Sequence, residues 1–239
     1  MGAVHRSFAG GIVVTSIRDR LLALRTAIPR EVEIMAAGKT RSTEAIGEVL
    51  DAGIRIVGHN YVQEARAQIE SLGREVCSWH FIGHLQRNKA RAAAALFDMI
   101  QTVDSLRLAK ALDRACQDLG RQLPILIEVN SARESQKTGV RPDEAIDLIQ
   151  EIDPLLGLRI EGLMTMGPAT SSPEAMRPYF RETRALFDRI ATLDLPKARM
   201  HTLSMGMSDS YPIAIEEGAT MVRLGTALFG PRAERSLSE

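Results

Sequence analysis

Residues 54–83 read IRIVGHNYVQEARAQIESLGREVCSWHFIG, and they hold two strand-like runs on either side of a helix-like run. The runs at 54–58 and 79–83 are short and rich in apolar, β-branched and aromatic residues, which is typical of strands. In the segment between them, four apolar residues repeat at helical spacing: Val62, Ala65, Ile69 and Leu72. A helix between two strands predicts a right-handed crossover and parallel pairing, because a tight hairpin joins only antiparallel strands.

The same alternation extends along most of the chain. A helical stretch at 16–27 comes first, and another at 105–119 has Asp104 or Ser105 as its predicted N-cap. The predicted strands are 33–37, 54–58, 79–83, 99–103, 124–129, 160–166, 200–204 and 221–224. Eight evenly spaced units predict an α/β fold closed as a (β/α)8 TIM barrel, with an open doubly wound sheet as the main rival.

The division of the chain into domains follows from the same pattern. No linker rich in Gly, Ser or Pro interrupts the sequence, so we predict a single barrel domain over residues 16–231. Residues 1–15 and 232–239 are expected to form flexible tails.

Composition and charge narrow the classes of function. The chain has 239 residues, of which 45% are hydrophobic, and 30 basic residues balance 30 acidic ones. This balance gives no field that would attract nucleic acid or an anionic membrane, and no apolar run is long enough to span a bilayer. Two cysteines without metal-binding spacing fit a reducing compartment. We therefore predict a cytoplasmic protein with a small-molecule partner.

Lys39 is the first candidate for a functional residue. In a (β/α)8 barrel the functional groups gather at the carboxyl ends of the strands, and Lys39 comes two residues after the first predicted strand. We expect its side chain to project into the mouth of the barrel, where desolvation lowers the pKa of an amine. Such an amine is a better nucleophile towards an aldehyde, so Lys39 is predicted to form an imine.

Two loops after the last two predicted strands suit a phosphate group. Their small or hydroxyl-bearing residues are Ser204, Gly206, Gly225 and Thr226. Glycine lets the backbone approach a ligand closely, and a backbone amide at a helix start attracts an anion. Barrels that bind phosphate often use these two loops. Because closure places the last strand beside the first, Arg223 is expected near Lys39, and a ligand with a phosphate and an aldehyde could bridge them.

Five segments carry a family resemblance when they are taken together. They are NYVQE at 60–64, WHFIGHLQRNK at 79–89, GLM at 162–164, LSMGMS at 203–208 and MVRLGTALFG at 221–230. With these motifs the chain resembles the pyridoxal phosphate homeostasis proteins, which share their barrel with the N-terminal domain of alanine racemase. The resemblance covers about residues 16–230.

The resemblance implies a cofactor and a role for each candidate residue. It implies that pyridoxal 5′-phosphate (PLP) forms a Schiff base on Lys39, that Asn60 lies near the ring and that Arg223 faces the pyridine nitrogen. The residues that it places around the phosphate are Ser204, Gly206, Gly225 and Thr226. The role of Asn60 follows from the resemblance alone, and the resemblance implies no metal.

The predicted function is reversible binding of PLP, which buffers the cofactor and supplies it to PLP-dependent apoenzymes. An arginine at the pyridine nitrogen opposes protonation of the ring and makes it a weak electron sink, which suits storage and transfer and also suits a racemase, since a racemase needs only limited carbanion stabilisation. Whether the protein is also an enzyme stays open at this stage. The alternative is a low-activity, PLP-dependent amino-acid racemase.

A racemase of the alanine type needs a second acid/base, which in those enzymes is a tyrosine of a separate domain. Only nine residues follow Gly230, so we expect no such domain and, without it, a monomer. No motif marks Tyr61, Tyr179 or Tyr211 as the missing base, and all three are expected to be half-buried packing residues.

Three further features concern residues that differ from the family or stand outside the predicted site. The family usually has Ser before the lysine and Glu before the asparagine, whereas this chain has Gly38 and His59, so the hydrogen bonding around the ring is expected to differ. Lys137 matches a family lysine at a second, weaker PLP site, but we expect it to face water. His80 and His84 lack a nearby third ligand and are expected in core and loop rather than at a metal.

Overall fold

The computed structural model describes residues 16–168 and 172–231. Within them, eight parallel strands form a closed barrel in sequence order, and the first strand pairs with the last. The strands are β1 Glu33–Ala37, β2 Ile56–His59, β3 Ser78–Phe81, β4 Met99–Val103, β5 Leu123–Val129, β6 Leu158–Thr165, β7 Ala198–Ser204 and β8 Met221–Leu224. The prediction of a single-domain (β/α)8 barrel is confirmed, and the open sheet is excluded. The predicted tails, 1–15 and 232–239, lie outside the described residues.

Helices surround the barrel. In the described part of the chain they are α1 Ile17–Ala27, α2 Thr43–Asp51, α3 Val62–Leu72, α4 Ala90–Leu96, α5 Leu106–Asp118, α6 Ala145–Ile152, α7 Arg177–Ala191, α8 Tyr211–Glu216 and α9 Thr226–Phe229. Of the two predicted caps for α5, the structure uses Ser105, whose side chain accepts a hydrogen bond from Leu108 N. None of the helices in residues 16–168 and 172–231 is long and apolar enough to cross a membrane.

The main apolar core lies between the strands and the helices. Its largest fully buried side chain is Trp79 on β3, whose indole N–H donates to Arg74 O at 3.1 Å. Because side chains alternate along a strand, the other face of each strand points into the barrel. Contacts between residues of non-adjacent strands, such as Gln101 on β4 and Met221 on β8, cross this interior. Side chains therefore fill the interior of the barrel, and groups that are accessible to a ligand lie at its ends.

The strands β6 and β7 approach each other closely at one point in the wall of the barrel. Gly162 on β6 has φ 147°, and a Cβ there would lie 1.9 Å from the carbonyl oxygen of Thr202 on β7. Only glycine fits, because any side chain would push the two strands apart. The pairing of β6 with β7 shifts register at this point.

Candidate functional site

The carboxyl ends of the strands bring the predicted site residues to one end of the barrel, which we call the mouth. These residues are Lys39, Asn60, Ser204, Gly206, Arg223, Gly225 and Thr226. The pairing of β1 with β8 aligns Met35 with Arg223 and Ala36 with Leu224. The next pair continues this alignment, because a Cβ on Gly225 would lie 4.0 Å from Ala37 Cβ. The loop that bears Lys39 therefore runs beside the loop after β8, as the sequence predicted.

Lys39 itself differs from expectation, because its side chain is exposed. The prediction that the mouth desolvates this amine is wrong for this structure. The reason is its position two residues beyond the end of β1, past the layer of buried strand residues, where a lysine keeps its hydration. The amine is instead directly accessible to an aldehyde from solution.

Three contacts fix the backbone of the loop that bears Lys39. The amide of Thr40 donates to Glu64 Oε1 at 2.6 Å, and Gln68 Nε2 donates to Arg41 O at 2.7 Å. Both partners lie on α3, one turn apart. The guanidinium of Arg41 in turn donates to Gly230 O at 2.9 Å, next to the end of α9. The side chain of Lys39 thus projects from a loop whose backbone is held on two sides.

Arg223 lies at the floor of the mouth and is almost fully buried. Its Nη1 donates to both the carbonyl and the hydroxyl oxygen of Ser204 at 2.8 Å, and its Nη2 donates to Thr165 O at 2.8 Å. Burial lowers the pKa of Arg223 to about 10, while the nearby Glu128 opposes that shift. A group with this pKa is cationic at neutral pH, so a fixed positive charge stands at the floor of the mouth.

Ser204 has no hydrogen left for a phosphate. Its hydroxyl accepts from Arg223 and donates to Gln101 Oε1 at 2.8 Å, and its side chain is fully buried. A hydroxyl carries a single hydrogen, so this donation uses it up. Ser204 therefore supports Arg223 rather than offering a donor to the loops above it.

The loops after β7 and β8 are joined by one hydroxyl. Ser208 Oγ accepts from the amides of Gly225 at 3.2 Å and Ala227 at 3.1 Å. Gly206 has φ 92°, and a Cβ there would lie only 2.5 Å from Ala214 Cβ. At Gly225, in contrast, an added Cβ meets nothing nearer than 4.0 Å. The joined loops thus leave open space beside Gly225, which we call the cradle and which a side chain at this position would occupy.

Asn60 follows β2 and presents a buried polar atom without a partner. Its Oδ1 accepts no hydrogen bond from the described residues, although its side chain is half-buried. It lines a cavity of about 400 Å³ together with Tyr61, His84 and Lys89. Because an unpaired buried oxygen is costly, this atom favours a ligand that donates a hydrogen bond or carries polar hydrogens.

A second cavity of about 490 Å³ opens over β5 and β6 and is lined by Glu128, Lys137 and Met166, among others. Burial raises the pKa of Glu128, whose Oε1 accepts from Thr138 Oγ1 at 2.8 Å. Lys137 Nζ donates to the backbone at Gly167 O at 3.0 Å and forms an ion pair at 2.9 Å with a neighbouring carboxylate. Lys137 is thus half-buried and paired, rather than facing water as predicted.

Comparison with known proteins identifies the family. The family model described as alanine racemase, N-terminal domain, matches residues 12–233. The pyridoxal phosphate homeostasis protein of Escherichia coli K12 is 39% identical over 225 residues, which are 92% of this chain and 95% of that protein. The chain belongs to the pyridoxal phosphate homeostasis protein family. The resemblance inferred from the motifs is therefore confirmed.

Solved structures of the family show the same barrel. PipY of Synechococcus elongatus PCC7942, solved without PLP, superposes with a TM-score of 0.85 at 36% identity. The structure of PipY with PLP bound superposes with a TM-score of 0.82, also at 36% identity. Each match covers 90% of this chain and 100% of PipY.

In this member of the family, the two unusual residues around the site lie next to each other. The ring of His59 is fully buried and stacks on Trp79 with centroids 5.8 Å apart. Neither ring nitrogen has a hydrogen-bond partner among the described residues. A Cβ on Gly38 would lie 3.1 Å from His59 Cε1, so a serine there would press on the imidazole. Gly38 therefore accommodates the imidazole of His59 beside the loop that bears Lys39.

The tyrosines divide into two groups. Tyr179 and Tyr211 are half-buried, as predicted for packing residues. Tyr61 is instead 61% exposed, beside Asn60 at the mouth.

The two buried histidines predict a loss of stability in mild acid. Desolvation lowers the pKa of both His59 and His80 from 6.5 to about 4. Between these values the unfolded chain binds protons that the folded chain does not, so the free energy of unfolding falls as the pH falls from about 6.5 towards 4. Each histidine contributes a slope approaching about 1.4 kcal/mol per pH unit. Urea unfolding between pH 7 and 5 measures the slope.

Variants separate this effect from the titration of carboxylates. His59→Phe is expected to reduce the slope, whereas replacement of the exposed His201 by glutamine is expected to leave it unchanged. Equal slopes for His59→Phe and the native protein would show that His59 is not the group responsible.

Proposed function

We propose that this protein binds PLP reversibly and serves PLP homeostasis by buffering the free aldehyde and supplying the cofactor. One observation carries the proposal: β1 pairs with β8, so the loop that bears the exposed Lys39 runs beside the loop after β8, which Ser208 joins to the loop after β7. Family membership supports it, since PipY, with the same barrel at 36% identity, has been solved with PLP bound.

The residues at the mouth fit PLP in their chemistry. Lys39 would hold PLP through its exposed amine, the group that reacts with an aldehyde. The space beside Gly225, the backbone of the loop at Gly206 and the exposed Thr226 would hold the phosphate. The unpaired oxygen of Asn60 would lie near the ring of bound PLP, as the family resemblance implies. When bound, PLP supplies a reactive aldehyde carbon and an aromatic ring that can accept electrons.

Arg223 determines what the site does with this cofactor. Its buried guanidinium is cationic at neutral pH and opposes a second positive charge on a pyridine nitrogen next to it. Strong carbanion stabilisation requires that protonation. A site with this floor therefore suits the holding and release of PLP, and it also suits a racemase, which needs only limited carbanion stabilisation.

The proposal extends to partners and location. PLP-dependent apoenzymes are the recipients, and the protein acts in the cytoplasm as a monomer. The cytoplasmic location is supported by two free cysteines, Cys77 and Cys116.

The test is a titration of the purified protein with PLP, followed by absorbance, borohydride reduction and peptide mass analysis. We expect an imine band and, after reduction, a single adduct on Lys39. A protein that forms no such adduct contradicts the proposal. Deuterium exchange at Cα of a panel of amino acids, faster than with free PLP, would contradict the carrier role and favour the racemase.

A further inference from the structure

A continuous chain of hydrogen bonds crosses the barrel interior below the candidate site. Arg223 donates to Ser204 Oγ at 2.8 Å, and Ser204 donates to Gln101 Oε1 at 2.8 Å. Gln101 Nε2 lies 3.0 Å from His80 Nδ1, and His80 Nε2 lies 3.0 Å from Ser78 Oγ. These residues come from β8, β7, β4 and β3, so the chain runs from the mouth through the barrel towards its amino-terminal end.

With the Gln101 amide oriented as in the structure, the hydrogen bonds of this chain run in one direction. A guanidinium can only donate, so Ser204 accepts from Arg223 and passes its own hydrogen to Gln101 Oε1. The amide nitrogen of Gln101 must then donate to His80 Nδ1, which is therefore the unprotonated nitrogen of the ring. The hydrogen of neutral His80 is on Nε2 and is donated to Ser78.

Burial makes this arrangement hard to replace. Gln101 and Ser204 are fully buried, and His80 and Arg223 are no more than 4% exposed. A buried donor or acceptor without a partner costs about 1–3 kcal/mol, so an interruption cannot be repaired by bulk water. Desolvation also lowers the pKa of His80 to about 4, which keeps the ring neutral, as this chain of hydrogen bonds requires.

This chain of hydrogen bonds matters for function because Ser204 is the side chain that accepts a hydrogen bond from Arg223. With its hydrogen held by Gln101, the hydroxyl of Ser204 keeps its lone pairs towards the guanidinium. If Gln101 is lost, that hydroxyl is free to rotate and to offer its hydrogen to Arg223, which cannot accept it. The carbonyl contacts at Thr165 and Ser204 would remain, so Arg223 would stay buried but would be held less firmly.

We propose that Gln101 and His80 are positioning residues of the PLP site, which hold Arg223 at the floor of the mouth through Ser204. This inference rests on the proposed function. It assigns roles to two residues that contact no ligand, and it explains the polar Gln101 in the interior of a barrel strand.

The first test needs no cofactor. In the unloaded protein, nitrogen NMR of the imidazole is expected to show His80 with its hydrogen on Nε2. Gln101→Glu keeps an acceptor for Ser204 but cannot donate to His80 Nδ1, so that nitrogen should become protonated. A His80 ring with its hydrogen on Nδ1 in the native protein would overturn the proposed direction of the chain.

The second test uses PLP and a matched pair of variants on β4. Gln101→Met removes both polar contacts at similar volume, and Ile100→Val shortens a neighbouring buried core residue that takes no part in the chain. For Gln101→Met we expect the Lys39 adduct to persist, the dissociation constant to rise about tenfold, and the pH midpoint of the imine band to move by about half a unit or more. Ile100→Val should keep both native values.

The outcomes separate this inference from the proposed function. If native protein forms no Lys39 adduct, the proposed function fails. If native protein forms it and Gln101→Met shows the native affinity and midpoint, only the positioning role fails. Should Gln101→Met not fold, Gln101→Glu decides: it keeps the Ser204 contact, and an affinity within about threefold of native supports the chain. A tenfold loss in that variant would show that the Ser204 contact does not determine the site.

Discussion

Replacement of Lys39 by alanine is expected to abolish the borohydride-fixed adduct and to weaken PLP binding at least about a hundredfold, which corresponds to about 2.7 kcal/mol of binding free energy. The reason is loss of the covalent bond, which leaves only contacts to the ring and phosphate. Stability should not change, since the exposed side chain makes no hydrogen bond or ion pair with the described residues. A PLP titration and urea unfolding measure the two quantities.

Lys137→Ala is the matched control for this variant. Lys137 also follows a strand and lines a cavity of the barrel, but its amine is already held by Gly167 O and by Glu134. We expect the control to retain the Lys39 adduct and the native affinity at low PLP concentration. An adduct that persists in Lys39→Ala and disappears in Lys137→Ala would show that the anchor has been assigned to the wrong lysine.

The fold was predictable because buried parallel strands leave a strong trace in the sequence. The bounds of β1, β4 and β8 agree with the predicted runs, each of which is a short apolar segment between turns. At β2 the prediction began two residues early. Ile54 N donates to Val49 O and so belongs to the turn after α2, although its apolar side chain packs in the core like a strand residue.

The site was predictable only where its residues immediately follow strands. Lys39 and the loops at Gly206 and Gly225 could be located because barrel topology alone brings those positions together. Asn60 required the family resemblance. The exposure of Lys39 was not predictable, since no local pattern shows whether a long side chain folds inwards or stays in water.

The residues that support the site were missed for a different reason. Glu64 and Gln68 hold the Lys39 loop from α3, and Gln101 reaches Ser204 across the barrel. The first two contacts join neighbouring βα units and the third crosses the barrel, so all of them depend on tertiary packing and leave no local pattern in the sequence. The one available signal was Gln101 itself, a polar residue between the apolar Ile100 and Val103 in a strand predicted to be buried.

Gly206→Ala and Gly225→Ala are expected to affect different properties, although both lie in the loops assigned to the phosphate. Gly206→Ala should lower stability, and Gly225→Ala should lower the affinity for PLP. At Gly206 the positive φ of 92° costs alanine about 1–2 kcal/mol, and a Cβ 2.5 Å from Ala214 Cβ adds about 1–3 kcal/mol of overpacking. We therefore expect the free energy of unfolding to fall by about 2–5 kcal/mol, as measured by urea unfolding.

Gly225 has a negative φ of −105°, and an added methyl group would meet only Ala37 Cβ, at the uncrowded distance of 4.0 Å. Gly225→Ala should thus change stability by less than about 1 kcal/mol, as is usual for substitutions without a steric conflict. The methyl group would instead occupy the cradle above the joined loops, where the proposal places the phosphate. PLP affinity should fall about tenfold or more while the Lys39 adduct still forms at high PLP concentration. Native affinity in Gly225→Ala would mean that the phosphate is held elsewhere, because the cradle is the only part of the site that this methyl group changes.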